Sequence, residues 1–101
     1  MKFKRLDHES MINGTSYHGV SIEATLSELY AELGEPDYEG PPDEKVQYEW
    51  LFQFENGDIF TLYCWKEYGW IKKKELINWH IGGENKAITK KAKIALTQKL
   101  F

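Results

Sequence analysis

Val46-Gln47-Tyr48-Glu49-Trp50-Leu51-Phe52-Gln53-Phe54-Glu55-Asn56-Gly57-Asp58-Ile59-Phe60-Thr61-Leu62-Tyr63-Cys64-Trp65-Lys66 is the stretch that decides the fold. Val46, Tyr48, Trp50, Phe52 and Phe54 recur at every second position, the period of a strand with one buried face. Asn56-Gly57 is the favoured dipeptide of a two-residue hairpin turn, because both turn residues must take positive φ. Read that way, Phe54 opposes Ile59, Phe52 opposes Thr61, Trp50 opposes Tyr63 and Tyr48 opposes Trp65. Six aromatic rings then share one face. Leu51, Phe60, Leu62 and Cys64 share the other with Gln47, Glu49 and Gln53. Apolar residues on both faces place the hairpin inside a larger sheet, and a slip of one residue would exchange the faces.

On either side of the hairpin the chain offers helix and strand signals. Thr25 followed three residues later by Glu28 is a capping box. Leu26, Leu29, Tyr30 and Leu33 then continue at helical spacing, and Gly34 and Pro36 end the helix. Residues 35–44 form an acidic connector that holds all three prolines and is expected to be mobile. After the hairpin, Lys66 to Glu75 reads as a polar loop. Leu76 to Ile81 reads as a strand closed by Gly82-Gly83. Asn85 caps a last helix from about Lys86 to Leu100, with Ile88, Ala92, Ala95, Leu96 and Leu100 on its apolar stripe. Near the N-terminus, Phe3 to Leu6 can start a short strand, and Asn13 to Gly19 reads as a shaped loop between two glycines. The fold class is α+β: an antiparallel sheet of three to five strands around the aromatic hairpin, with two helices packed on one side.

Length and composition narrow the function classes. A chain of 101 residues with 42% hydrophobic and 15% aromatic content suits one domain spanning 1–101 with a real core. A single cysteine excludes a disulfide framework. No apolar run approaches the ~18 residues of a membrane span. The N-terminal Met1 to Asp7 turns polar too early for a secretory signal, so an intracellular protein is expected. Residues 1–58 hold 13 acids and 4 bases, while residues 59–101 hold 9 bases and 3 acids. The overall acidity argues against duplex DNA as a partner.

Two loops carry candidate chemistry. Asn13-Gly14-Thr15-Ser16-Tyr17-His18-Gly19 and Trp79-His80-Ile81-Gly82-Gly83 each set a histidine beside an aromatic and a glycine. Backbone amides in a glycine turn ahead of a helix start are natural anion donors. If the loops meet, Thr15, Ser16, His18 and His80 can hold a phosphate-bearing molecule while Tyr17, Trp65 or Trp79 stacks on a base. Six rings on the hairpin face resemble a stacking platform for single strands, but a domain of this size is expected to bury them as core. Cys64 reads as a buried small hydrophobe rather than a nucleophile. No histidine stands at metal-ligand spacing, and no cofactor is expected.

The Asn13 to Ser16 loop with Gly19, Leu33-Gly34-Glu35-Pro36, Trp50, Asn56-Gly57, Tyr63-Cys64-Trp65-Lys66 and Trp79 to Gly83 together resemble the motif series of a family of small bacteriophage proteins. The likeness spans roughly residues 12–85 and departs at Cys64, where the family pattern has an acidic or amide residue. The resemblance implies a phage accessory protein in the cytoplasm of a bacterial host, acting by binding rather than turnover. It would inhibit host immunity by sequestering a nucleotide-derived ligand. The expected recognition residues are Asn13, Thr15, Ser16, Tyr17, His18, Tyr63, Trp65, Lys66, Trp79, His80, Gly82 and Gly83, with Lys66 and the Gly82-Gly83 backbone meeting a phosphate. Two other readings stand beside it. One is an acidic inhibitor that mimics nucleic acid with the band from Glu23 to Asp58 and binds a host defence protein. The other is a small phosphodiesterase using His18 and His80 as acid and base. Self-association is left open by the aromatic content.

Overall fold

The computed structural model describes residues 2–7 and 14–101. Eight elements follow in order: β1 (Phe3–Arg5), β2 (Ser16–Thr25), α1 (Leu26–Leu33), β3 (Tyr38–Glu39), β4 (Tyr48–Phe54), β5 (Ile59–Tyr63), β6 (Leu76–Gly83) and α2 (Lys86–Leu100). The strands form one antiparallel sheet in the order β1-β4-β5-β6-β2, with β3 beside β1 on the free edge of β4. This is the α+β architecture expected, but with six strands rather than three to five. His8 and Asn13 lie outside the described residues.

Both helices begin where the sequence places them. Thr25 accepts from the Glu28 amide at 3.1 Å and the Glu28 carboxylate accepts from the Thr25 amide at 2.9 Å, closing the capping box. Asn85 Oδ1 accepts from the Ile88 amide at 2.9 Å. Leu26, Leu29 and Leu33 of α1 and Ile88, Ala92, Ala95 and Leu96 of α2 join one buried cluster with Val20, Ile22 and Ala24 of β2 and Ile77, Trp79 and Ile81 of β6. Both helices therefore cover the same sheet face.

The hairpin register differs from expectation by one residue. Glu49 faces Tyr63, Trp50 faces Leu62, Leu51 faces Thr61, Phe52 faces Phe60 and Gln53 faces Ile59. Phe54 N–H donates to the Asp58 carbonyl at 2.8 Å and Gly57 N–H donates to the Phe54 carbonyl at 3.0 Å. The connection is thus the three-residue loop Glu55-Asn56-Gly57, a turn followed by a left-handed residue, and Gly57 supplies that residue with φ 97°. The shift sorts the rings onto two faces. Trp50, Phe52, Phe54, Phe60, Leu62 and Cys64 are core, so Cys64 stands with the buried aromatics and not opposite them. Tyr63 and Trp65 move to the other face by strand alternation. Burial raises the Cys64 thiol pKa, which keeps it protonated and inert.

Two segments read as loops are paired. Residues from Ser16 to Gly19 open the long edge strand β2, whose register against β6 shifts between Tyr17 and Ser21. Gly19 takes φ 81° within that irregularity. The acidic connector is also held. Asp37 Oδ2 accepts from Arg5 Nη2 at 2.8 Å and from the Leu51 amide at 2.7 Å, and Tyr38 donates to Glu44 at 2.9 Å. Asp37 therefore ties β1, β3 and β4 together.

Candidate functional site

The face without helices gathers most of the expected site. Across the ladders Tyr63 faces His80, and Gly82 lies between Thr61 and Tyr17. The Tyr17 and His80 rings stack at 3.9 Å with an 11° interplanar angle. Trp65 lies near-parallel to His80 at 6.5 Å and 24°. Tyr63 meets both edge-on, His80 at 5.6 Å and Trp65 at 6.4 Å. Rings offset or crossed at such distances attract through their quadrupoles. Tyr17 and Trp65 nevertheless remain 43% and 40% exposed, so part of each ring stays open to solvent.

Two cations attend this cluster. Lys66 Nζ lies 5.8 Å and Lys45 Nζ 6.0 Å from the Trp65 ring centroid, within cation–π reach. Lys66 takes a left-handed φ of 57°, unusual for a residue with a Cβ. Its amide donates to the Lys45 carbonyl at 2.7 Å, which closes the two lysines around Trp65. Lys45 is absent from the sequence-based set. The corrected register sets Val46 opposite Lys66, and a further one-residue irregularity past the end of the strands, marked by the Lys66 to Lys45 hydrogen bond, brings Lys45 there instead.

The electrostatics favour a neutral platform. Burial among the rings lowers the His80 pKa, and Glu67 opposes this only in part. The ring is neutral at pH 7 and suited to stacking. Burial raises the Tyr63 pKa, with Glu49 and Tyr17 adding to the effect, so its hydroxyl stays protonated.

A shallow recess of about 190 Å³ runs beside the rings, lined by Thr15, Ser16, Val46, Glu49, Thr61, Tyr63, Trp65 and Gly82. That is less than the ~300 Å³ at which enclosed ligand pockets begin. Larger recesses, of about 490 Å³ beside β1 and the hairpin loop and about 450 Å³ between α1, β3 and β4, lie away from the ring cluster. The first sets Lys2 and Lys4 beside Phe3 and Phe54, but Phe54 is buried and Phe3 packs against the core, so the exposed rings of the open face carry the functional argument. A ligand there would lie on a surface rather than inside a pocket.

Five expected site residues are placed elsewhere or used differently. Trp79 is fully buried on the helix-covered face, and its indole N–H donates to the Ala24 carbonyl at 2.9 Å. Gly83 belongs to the helix side, where a Cβ would come within 3.0 Å of Thr89 Cγ2. The expected glycine turn of free amides is not formed: Gly82 and Gly83 are strand residues flanked by β5 and β2. Ser16 and His18 alternate away from Tyr17 along β2. There Ser16 Oγ lies 3.2 Å from His18 Nε2, which donates to the Gly83 carbonyl at 3.0 Å. His18 is thus occupied beside Gly83 while His80 sits among the open-face rings, and the two do not form an acid–base pair.

Gly82 has a steric reason to be glycine. A Cβ there would stand 2.5 Å from Thr61 Oγ1, on a short branched side chain that is itself buried. Gly82→Ala is expected to destabilise the domain by about 1–3 kcal/mol through overpacking. Thr61→Ala in the same chain should restore part of that loss. Urea melts of both single variants and the double variant measure the coupling, and strictly additive losses would reject the contact as the cause.

No protein-family model, no curated protein and no solved structure matches this chain. Among the described residues no helix is long and apolar enough to cross a membrane.

Proposed function

We propose that this chain is a binding protein acting without turnover, whose helix-free sheet face takes a nucleotide-type ligand. The observation that carries the reading is the stack of Tyr17, His80 and Trp65 left partly exposed between Lys45 and Lys66. A base lies on the outer face of Trp65 or Tyr17, and the two ammonium groups meet the phosphate. Stacking of a base on an aromatic side chain is worth about 1–3 kcal/mol, and each lysine adds screened attraction to a phosphate. The wider role, a phage accessory protein that withholds a nucleotide signal from host immunity in the bacterial cytoplasm, rests on the motif resemblance alone. The reading as an acidic nucleic-acid mimic is weaker, because Asp37 in the middle of the acidic band is spent on Arg5 and the Leu51 amide.

Native mass spectrometry tests the reading directly. The protein is sprayed alone and with a panel of linear, cyclic and ADP-ribose nucleotides. A retained adduct that disappears in Trp65→Ala is the expected result. An apo mass with every nucleotide, at ligand concentrations up to the millimolar range, would overturn it.

A further inference from the structure

The recess of about 450 Å³ between α1, β3 and β4 is lined by Leu26, Ser27, Tyr30, Glu39, Tyr48 and Lys73. Leu26 and Tyr30 stand one helical turn apart on α1 and so share a face. Glu39 and Tyr48 are directly opposed across β3 and β4. Lys73 is held there from the loop before β6, because its carbonyl accepts from the Ser27 amide at 3.0 Å. The Tyr30 and Tyr48 rings meet edge-on at 6.4 Å. Both lean on the buried Trp50, Tyr30 at 6.0 Å and Tyr48 at 6.5 Å. Core packing therefore fixes the aromatic wall. The volume falls within the ~300–1,000 Å³ of small-molecule sites.

The polar groups that border this recess are not spent on one another. Among the described residues no group hydrogen-bonds the hydroxyl of Ser27, Tyr30 or Tyr48, and neither Glu39 nor Lys73 has an ion-pair partner. Burial first, and the Glu39 carboxylate next, raise the pKa of both phenols. Both hydroxyls thus stay protonated and can donate, and the carboxylate stands close to the two rings. Lys73 enters from the α1 side, where its backbone is pinned to Ser27. A ligand carrying only a cation would meet Lys73 as a like charge, and one carrying only an anion would meet Glu39. Such repulsion excludes wrong ligands as effectively as attraction selects the right one. A molecule with both charges satisfies both walls. An ammonium group beside the two phenol rings also gains cation–π attraction.

We infer that this recess is a second binding site, which takes a small zwitterion of the amino-acid type. Its ammonium group meets Glu39 beside Tyr30 and Tyr48, its carboxylate meets Lys73 and the Ser27 hydroxyl, and its apolar side chain lies over Leu26. The site does not depend on the stacking function proposed for the open face. Tyr48 alternates with Trp50 onto the helix-covered side of the sheet, whereas Tyr63 and Trp65 lie on the other side.

Proton–nitrogen correlation NMR of the labelled protein tests it, with leucine, phenylalanine, phenethylamine and phenylpropionate as probes. The two amino acids are expected to shift the amide signals of Ser27, Glu39 and Tyr48 in a saturable way. Phenethylamine lacks the carboxylate and phenylpropionate lacks the ammonium group. Each should bind about fivefold more weakly than phenylalanine, the factor that one partly exposed charge pair can supply. Glu39→Gln should cost phenylalanine about fivefold and leave phenylpropionate no weaker. Lys73→Gln should cost phenylalanine the same factor and leave phenethylamine no weaker. Both residues are exposed, so neither substitution should move the melting temperature. Trp65-dependent nucleotide adducts should persist in both variants. No saturable shift at these amides with either amino acid, up to the tens-of-millimolar range, would overturn the inference. Equal affinity for phenylalanine and either analogue would overturn it too. Failure of the nucleotide adducts alone would remove the stacking function and leave this site standing.

Discussion

Trp79→Ala is expected to destabilise the domain by about 3–5 kcal/mol, the range for truncating a buried large aromatic. The indole is fully buried and packs edge-on against Trp50 with centroids 5.8 Å apart. Its N–H donates to the Ala24 carbonyl of the edge strand β2 at 2.9 Å. Truncation opens a cavity where β6 and β2 meet the helices, and it also removes the donor from a buried carbonyl. Domains of this size hold about 5–15 kcal/mol in total, so much of the margin is at stake. Trp79→Phe separates the two contributions. It keeps most of the packing but abandons the hydrogen bond, and about 1–3 kcal/mol is expected for that. Urea unfolding followed by far-ultraviolet circular dichroism measures both. If Trp79→Ala kept full stability and lost nucleotide binding instead, the assignment of Trp79 to the core would fail.

The same residue shows where sequence reasoning reaches its limit. Trp79 and His80 are neighbours in one strand, and a linear motif treats them as a unit. The strand period sends them to opposite faces, one to the helices and one to the open side. The hairpin makes the point more sharply. Its existence was plain from the alternation and from Asn56-Gly57, but that dipeptide fits both a two-residue turn and a three-residue loop. The choice moves Tyr63 and Trp65 across the sheet. The pattern held the answer in Phe60, Leu62 and Cys64, three apolar residues that belong with Trp50 and Phe52. Thr61 and Tyr63, each carrying a hydroxyl, belong on the other side. Pairing by burial would have chosen the observed register.

The helices were legible for a different reason: their signals are local. Thr25 with Glu28 and Asn85 with Ile88 act within one turn. β2 and β3 were not legible, because pairing distant in sequence makes them strands. Ser16 to Gly19, rich in glycine and hydroxyl groups, becomes the edge of a sheet through β6, some sixty residues away (Ser16 opposite Gly83). Tyr38 and Glu39 become a strand because Arg5 and the Leu51 amide hold Asp37. The lysines around Trp65 follow the same rule. Lys66 is adjacent in sequence and was anticipated, whereas Lys45 arrives through the hairpin.

His80→Ala is expected to weaken nucleotide binding by about 5- to 150-fold, the range for losing an aromatic stacking partner, while costing the fold only about 1 kcal/mol. His80 is the middle ring of the platform: Tyr17 stacks on it at 3.9 Å, and Trp65 and Tyr63 lean on it. Without it Trp65 loses its support and the face loses its flatness. His80→Phe preserves a ring of similar thickness and should retain most of the affinity, which separates stacking from any proton-transfer role. The pH dependence supplies an independent check. Burial holds the His80 pKa below 6.5, against a smaller raising influence of Glu67. In the window between that lowered value and 6.5, the unfolded chain binds the proton and the folded one does not. Stability therefore rises with pH across the window and falls as pH drops through the folded-state value. Phenylalanine cannot titrate, so His80→Phe should lose less stability than the parent chain between pH 7 and 5, with other titrating groups cancelling in the comparison. Parallel stability curves for the two proteins would mean that His80 carries no burial penalty. A large loss of affinity in His80→Phe would mean that the imidazole contributes more than a flat ring.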